Sequence, residues 1–258
     1  TAMDLPGVEA FLRDTGNTDF LDDIKEAQDH GISGGEILCS LYSKLCYESL
    51  TVGKNANVQK TRSVKANLQG TFDASHGAVF EHCQLNFVVS DCSRIYTHEQ
   101  VRHRVGVAYS QTSGRYCRLE NIDLVWDPIL DPVKDLFLGC VDRIEKTVYL
   151  AECRLGLRKP PPGYSGAPDN ACMVDDDEWS WDQGKEHLKW VPDNAFDLEK
   201  RKEITSAIRR IVPNGQANKL GLSLNVRSLR HLVQLRTQRF AEQEIRDIYA
   251  TAVDYDSR

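Results

Sequence analysis

Arg102, His103 and Arg104 stand in a row, and after the spacer Val105 to Thr112 come Ser113, Gly114 and Arg115. In a chain of formal net charge -6 this is a concentrated positive stretch. A guanidinium is always charged and presents a planar fork of donors that matches phosphate oxygens. The spacer is small and polar, with Ser110, Gln111 and Thr112 at its end, and binding residues often sit on such loops. The chemistry indicated is capture of an anion. A solvated basic loop paired with local acids fits the same residues.

A second cationic set runs from 209 to 239. Arg209 and Arg210 precede Pro213-Asn214-Gly215, and Arg227, Arg230, His231, Arg236 and Arg239 follow. Arg227 and His231 are four apart and share one side of a helix. Arg236 lies about 140° round from His231, which aims it at a neighbouring but distinct site. Neither set is long or aromatic enough for a nucleic-acid groove, and overall acidity disfavours phosphate-backbone binding, so no nucleic-acid partner is expected. No phosphate-cradling Gly-rich loop, dinucleotide fingerprint or nucleophile elbow is present. From the residues alone, the chain binds phosphorylated small molecules, with a nucleotide the best fit.

Rigid elements must deliver these groups. Residues 4–48 read as helical, with Leu21, Ile24 and Ala27 in one run, Ile37, Leu38, Leu41 and Leu45 in the next, and Ser33 as a cap between them. Residues 50–77 are polar and mildly basic, and fit either a connection or a helix with one buried stripe. From Ala78 to Val89, Cys83, Leu85 and Phe87 alternate with polar residues, the period of a half-buried strand. Asp91 or Ser93 can cap a short helix through Ile95, Tyr96, Glu99 and Val101, which runs directly into Arg102.

Beyond the loop, Asp131 to Leu155 reads as one amphipathic helix, with Val133, Leu136, Phe137, Cys140, Val141, Ile144, Val148 and Ala151 on its apolar face. Residues 155–196 lose periodicity and carry Trp179, Trp181 and Trp190, as an inserted excursion that docks on something would. A helix from Asn194 to Ile211 with Leu198, Ile204, Ala207 and Ile211 inside, a short strand Lys219 to Asn225, and a final helix from Val226 to about Ala252 with Leu229, Leu232, Val233, Phe240, Ile245, Ile248 and Tyr249 on its core face complete the pattern.

The chain has 258 residues and 41% hydrophobic content, enough to bury a core as one large domain or two small ones. No apolar run of membrane-spanning length occurs, and the opening residues show no signal-peptide pattern. Eight Cys are scattered without a C-x-x-C pair, which argues for reduced thiols in the cytoplasm rather than a disulfide framework or a zinc site. Asp175-Asp176-Asp177-Glu178 lacks the spacing of a calcium loop, so no metal is expected.

Arg102-His103-Arg104 followed by Tyr109-Ser110-Gln111-Thr112-Ser113-Gly114-Arg115-Tyr116 resembles the signature motif of the flavin-dependent thymidylate synthases, the ThyX family. In family order stand His76 to His82, ending in Glu-His; Arg209 to Pro213; Asn225-Val226-Arg227; and His231 to Arg236. The resemblance implies a single mixed α/β catalytic domain over 1–258, with a central sheet flanked by helices and a long C-terminal helix. It further implies a homotetramer with active sites shared between subunits.

The implied activity is reductive methylation of dUMP to dTMP, with FAD reduced by NADPH and 5,10-methylenetetrahydrofolate as carbon donor. A relative acting on another pyrimidine nucleotide, or delivering a hydroxymethyl group, and a non-catalytic flavin- or nucleotide-binding homologue are the alternatives. By position, Arg102, His103 and Arg104 would hold FAD, with Asn225, Arg227 and His231 contacting it from another subunit. Gln111 would lie at the flavin–nucleotide junction, and His82 near the folate and flavin edge. Ser113, Gly114 and Arg115 would bind the dUMP phosphate, joined by Glu99, Arg102 and Arg209, or by Arg210 in place of Arg209. Arg236 would face the uracil as the catalytic cation. The spacer before Ser113 is one residue longer than is usual in the family, and Gly106 is the residue suited to absorb the excess.

Overall fold

The computed structural model describes residues 3–116, 122–159, 189–190 and 198–255. Two compact units emerge. The first comprises residues 1–89, 99–110 and 221–258, and the second 90–98 and 111–220.

The first unit opens with three helices, α1 (Leu5–Asp14), α2 (Asp19–Asp29) and α3 (Gly34–Cys46). Ser33 starts α3 as expected: its hydroxyl accepts from the Glu36 N–H while the Glu36 carboxylate reaches back to the Ser33 N–H. The polar stretch 50–77 resolves into a loop and a helix, α4 (Val64–Asp73), capped by Ser63. Leu12, Phe20, Leu21, Ile24, Ile37, Leu41, Leu50 and Val64 form one buried cluster at these helices. Lys44 is buried among them, where its ammonium donates to the Asp23 carboxylate at 2.6 Å and the Phe20 ring centroid lies 4.6 Å from its nitrogen.

Four sequence expectations shift. The strand expected from Ala78 begins only at Gln84 and runs to Ser93 as β1, because Gly77–Glu81 winds into a 3-10 turn. Ser93 rather than Asp91 therefore caps α5 (Arg94–Gln100), accepting from the Tyr96 N–H at 3.1 Å. The single C-terminal helix divides into α8 (Val226–Arg236) and α9 (Gln243–Tyr255). Glu242 caps the second piece by accepting from the Ile245 N–H, and Phe240, expected inside, is 81% exposed. The helix expected over 131–155 starts with a 3-10 turn at Pro128–Val133 and becomes α6 only at Lys134–Arg154.

The fourth shift is in burial. Along α6, Leu136, Phe137 and Cys140 are exposed, and full burial begins at Val148. In the second unit Val148, Leu157, Ile204 and Ile208 form a small cluster, which covers only the C-terminal half of that helix. In α7 (Leu198–Ile208), Ile204 and Ile208 are the buried residues, whereas Leu198 and Ala207, and Ile211 in the 3-10 turn Arg209–Ile211 that follows, are exposed.

A three-stranded sheet has the order β1-β5-β2, with β2 at Val107–Gln111 and β5 at Ala217–Asn225. The rims of the aperiodic stretch meet as an antiparallel pair, β3 (Arg158–Lys159) and β4 (Lys189–Trp190). Its interior, including Trp179, Trp181 and the acidic run 175–178, lies outside the described residues, as do Arg118 and Asn194. No helix among the described residues is long and apolar enough to cross a membrane.

Candidate functional site

In the first unit, α5 ends at Gln100 and hands the chain to Arg102-His103-Arg104. Buried Gln100 anchors this exit: its amide donates to the Tyr109 hydroxyl at 3.2 Å, and its carbonyl oxygen accepts from the Tyr249 hydroxyl at 2.8 Å. The Tyr109 hydroxyl lies 2.6 Å from the backbone carbonyl of His103 and 2.8 Å from that of Gln100. Burial pushes both tyrosine pKa values up, so these hydroxyls remain protonated.

Arg236, at the C-terminal end of α8, meets this loop. Its Nε donates to His103 Nε2 at 3.0 Å, Nη1 to the Glu99 carboxylate at 3.1 Å, and Nη2 to the Glu99 carbonyl at 3.3 Å. The other Glu99 oxygen pairs with Arg102 at 3.1 Å. Glu99, Arg102, His103 and Arg236 thus form one connected group, built from positions far apart in sequence. Arg104 and His231 make no ion pair among the described residues and are exposed. Positive charge left uncompensated at this loop fits a pyrophosphate such as that of a flavin dinucleotide.

Other expected flavin residues are engaged differently. Asn225 is buried and caps α8, its Oδ1 accepting from the Ser228 N–H at 2.8 Å. Arg227 pairs with Glu81, the first carboxylate upstream of His82, and His82 packs its ring on Tyr42 at 4.3 Å.

The second unit carries Gln111, Ser113, Gly114, Arg115 and Arg209. Gln111 donates to the Thr97 hydroxyl at 3.0 Å. The Ser113 hydroxyl accepts from the Arg115 N–H at 3.3 Å. At buried Gly114, an added Cβ would lie 3.5 Å from Arg94 Nη2 and 3.6 Å from Arg209 Cδ. The backbone of the signature loop is therefore bracketed by two guanidinium-bearing side chains. Arg94 is half-buried, and its pKa is held below the ordinary arginine value by burial first and by the charge of Arg209 second. Neither arginine pairs with a carboxylate among the described residues, and like charges converging in this way make a place for a dianion. Arg209 and Arg210 are both exposed, and Arg209 is the one that reaches Gly114. Sequence reasoning missed Arg94: it starts a short helix outside any motif, and no local signal marks it.

The family model described as thymidylate synthase complementing protein matches residues 30–255. The chain belongs to this family. A flavin-dependent thymidylate synthase of Mycobacterium marinum is 28% identical over 216 residues, 83% of this chain and 72% of that protein. One from Mycobacterium avium is 24% identical over 232 residues, covering 89% and 78%. A crystal structure of thymidylate synthase X from Helicobacter pylori with FAD and dUMP superposes with a TM-score of 0.54 at 16% identity, covering 85% of this chain and 88% of that one. At that identity the likeness speaks to the fold.

Two details of the signature loop carry testable consequences. Gly106 has φ +67°, and a Cβ there would lie 2.2 Å from Asn225 Nδ2 and 2.6 Å from Ser228 Oγ. The Asn225 N–H also donates to the Gly106 carbonyl, so the turn is seated on the start of α8. Gly106→Ala is expected to cost roughly 2 kcal/mol or more, from left-handed backbone strain plus the collision. Chemical denaturation measures it; an unchanged midpoint would remove the seat from the argument.

The second detail is His103. Its pKa is held below the ordinary value of 6.5 by burial first, then by Arg236 and His231, against the opposing pull of Glu99. Neutral His103 keeps the lone pair that Arg236 donates to. The unfolded chain binds this proton more tightly, so stability rises with pH across the interval. The contribution is complete above about 6.5 and is lost as pH falls towards the folded value. Unfolding free energies measured between those limits should show this slope, and His103→Gln should flatten it.

Proposed function

We propose that the chain is a flavin-dependent thymidylate synthase that reductively methylates dUMP to dTMP, with methylenetetrahydrofolate as carbon donor and NADPH as reductant. The observation that carries the reading is the Glu99–Arg236–His103 group. It joins the signature motif to the helix that follows the Asn-x-Arg element.

Arg102, His103, Arg104 and His231 would hold FAD, their donors and charge meeting its pyrophosphate. When bound, FAD supplies the hydride that completes the methyl group. Arg94, Arg209, Arg115, Ser113 and the Gly114 backbone take the 5′-phosphate. Arg236 faces the uracil, where its fixed charge stabilises the N3-deprotonated ring; Glu99 and His103 hold it in place beforehand, so little reorganisation is needed at the moment of reaction. Gln111, fixed by Thr97, orients the nucleotide, and His82 on its Tyr42 support lines the folate side. Asn225 acts through the loop it seats, and Arg227 through its pair with Glu81.

The enzyme assembles as a cytoplasmic homotetramer with active sites shared between subunits. The uncovered apolar side chains of α6, Leu136 and Phe137 among them, support a subunit contact. The six described cysteines form no disulfide with one another, which suits a reducing compartment. The test is direct. Purified protein reconstituted with FAD should be yellow and bleach on adding NADPH, and with dUMP and methylenetetrahydrofolate it should release dTMP. A protein that takes up no flavin sinks the reading; a 5-hydroxymethyl product would move it to the related hydroxymethylase.

A further inference from the structure

A cavity of about 790 Å³ lies within the first unit, between α3, α4 and the loop joining them. None of the residues considered above for flavin or dUMP lines it. Lys60, Arg62 and His76 stand at its wall with Tyr47, Ser43 and Thr71, and no carboxylate occurs among the described residues that line it. Lys44, also at the wall, is neutralised by Asp23. Lys60 and Arg62 make no ion pair among the described residues. The Arg62 guanidinium lies directly on the α4 backbone: a Cβ on Gly70 would stand 2.8 Å from its Nη1. Glycine at that position lets the cation rest on the helix and face the cavity instead of being lifted off it.

The chemistry of this lining is specific. Two uncompensated cations ask for an anion, and Arg in particular matches phosphate oxygens. The half-exposed Tyr47 ring offers a face for a flat heterocycle, while the buried Ser43 and Thr71 hydroxyls hydrogen-bond each other at 3.2 Å and firm the wall behind it. The volume is in the range of small-molecule sites and far exceeds a lone phosphate. We propose that this cavity is a second nucleotide site, which takes the phosphate-bearing adenosine end of an adenine nucleotide. Two sources share that chemistry, the 2′-phosphorylated reductant and a free adenine nucleotide. Naming the reductant rests on the enzymatic reading above.

The test is calorimetric titration of the full chain saturated with FAD, using adenosine 2′,5′-bisphosphate in one arm and ATP in the other. Lys60→Ala/Arg62→Ala changes two exposed side chains and leaves the core intact. The variant should bind the preferred probe roughly tenfold or more weakly, as loss of two charge-assisted contacts implies. Tighter binding of the bisphosphate identifies the reductant as the source, and tighter binding of ATP a free nucleotide. Failure of both probes to bind the FAD-saturated wild type overturns the proposal, as does wild-type affinity in the variant. Titration with dUMP on the same samples separates the two readings. Normal dUMP binding with no probe binding defeats this inference alone, whereas loss of dUMP binding in the wild type counts against the enzymatic reading.

Discussion

Arg236→Ala should lower kcat by about 10²- to 10³-fold, the usual consequence of removing a preorganised charge from the position where negative charge develops. The side chain is only 15% exposed and is fixed by three contacts, to both Glu99 oxygen types and to His103. Arg236→Lys retains the charge but not the planar fork. It can satisfy Glu99 or His103, not both with the same geometry, so it should recover only a small part of the rate. The structural alternative, that Arg236 merely ties α8 to the loop, predicts something else. In that case both variants lose flavin and melt early, and the rate falls in proportion to bound FAD. Turnover per bound flavin and flavin stoichiometry decide between the two. Loss confined to stoichiometry would assign Arg236 a structural role.

The placement of Arg236 also shows what a sequence can and cannot disclose. Helical periodicity located α2 and α3, and the Ser33 cap was readable because capping is local. The cationic triplet and the later arginine were likewise visible as residue types. Their meeting was not, because nothing in local spacing requires residue 236 to return to residue 103; the family motif supplied that link. Burial along α6 and α7 misled for a related reason. An apolar stripe records that a face must be covered, yet says nothing of where its partner ends. Val148 found Ile204 and Ile208 in the same unit, and Leu136 did not. The division of the C-terminal helix was hidden because Gln238 to Glu242 contains neither Gly nor Pro, and the break depends on Glu242 capping the helix after it.

Arg94 was the least legible residue of the site, and it carries the second large effect. Arg94→Ala should raise the Kd for dUMP by roughly tenfold to a hundredfold, the range expected when one charged contact to a phosphate dianion is removed. Binding of deoxyuridine, which lacks the phosphate, should be almost unchanged. The setting of Arg94 gives an independent sign. There Arg94 is half-buried beside Arg209, and its charged form is disfavoured both by burial and by that neighbour. Removing it relieves the repulsion, so the variant without nucleotide should melt no earlier than wild type, while its gain in melting temperature on adding dUMP shrinks. A residue that served only packing would give the reverse, with early melting and undiminished discrimination between dUMP and deoxyuridine. Arg209→Ala should mimic the affinity loss, and the double variant should lose less than the two single losses added, because the two side chains bracket the same Gly114 and act on the same phosphate. Full additivity would place the two arginines at separate sites.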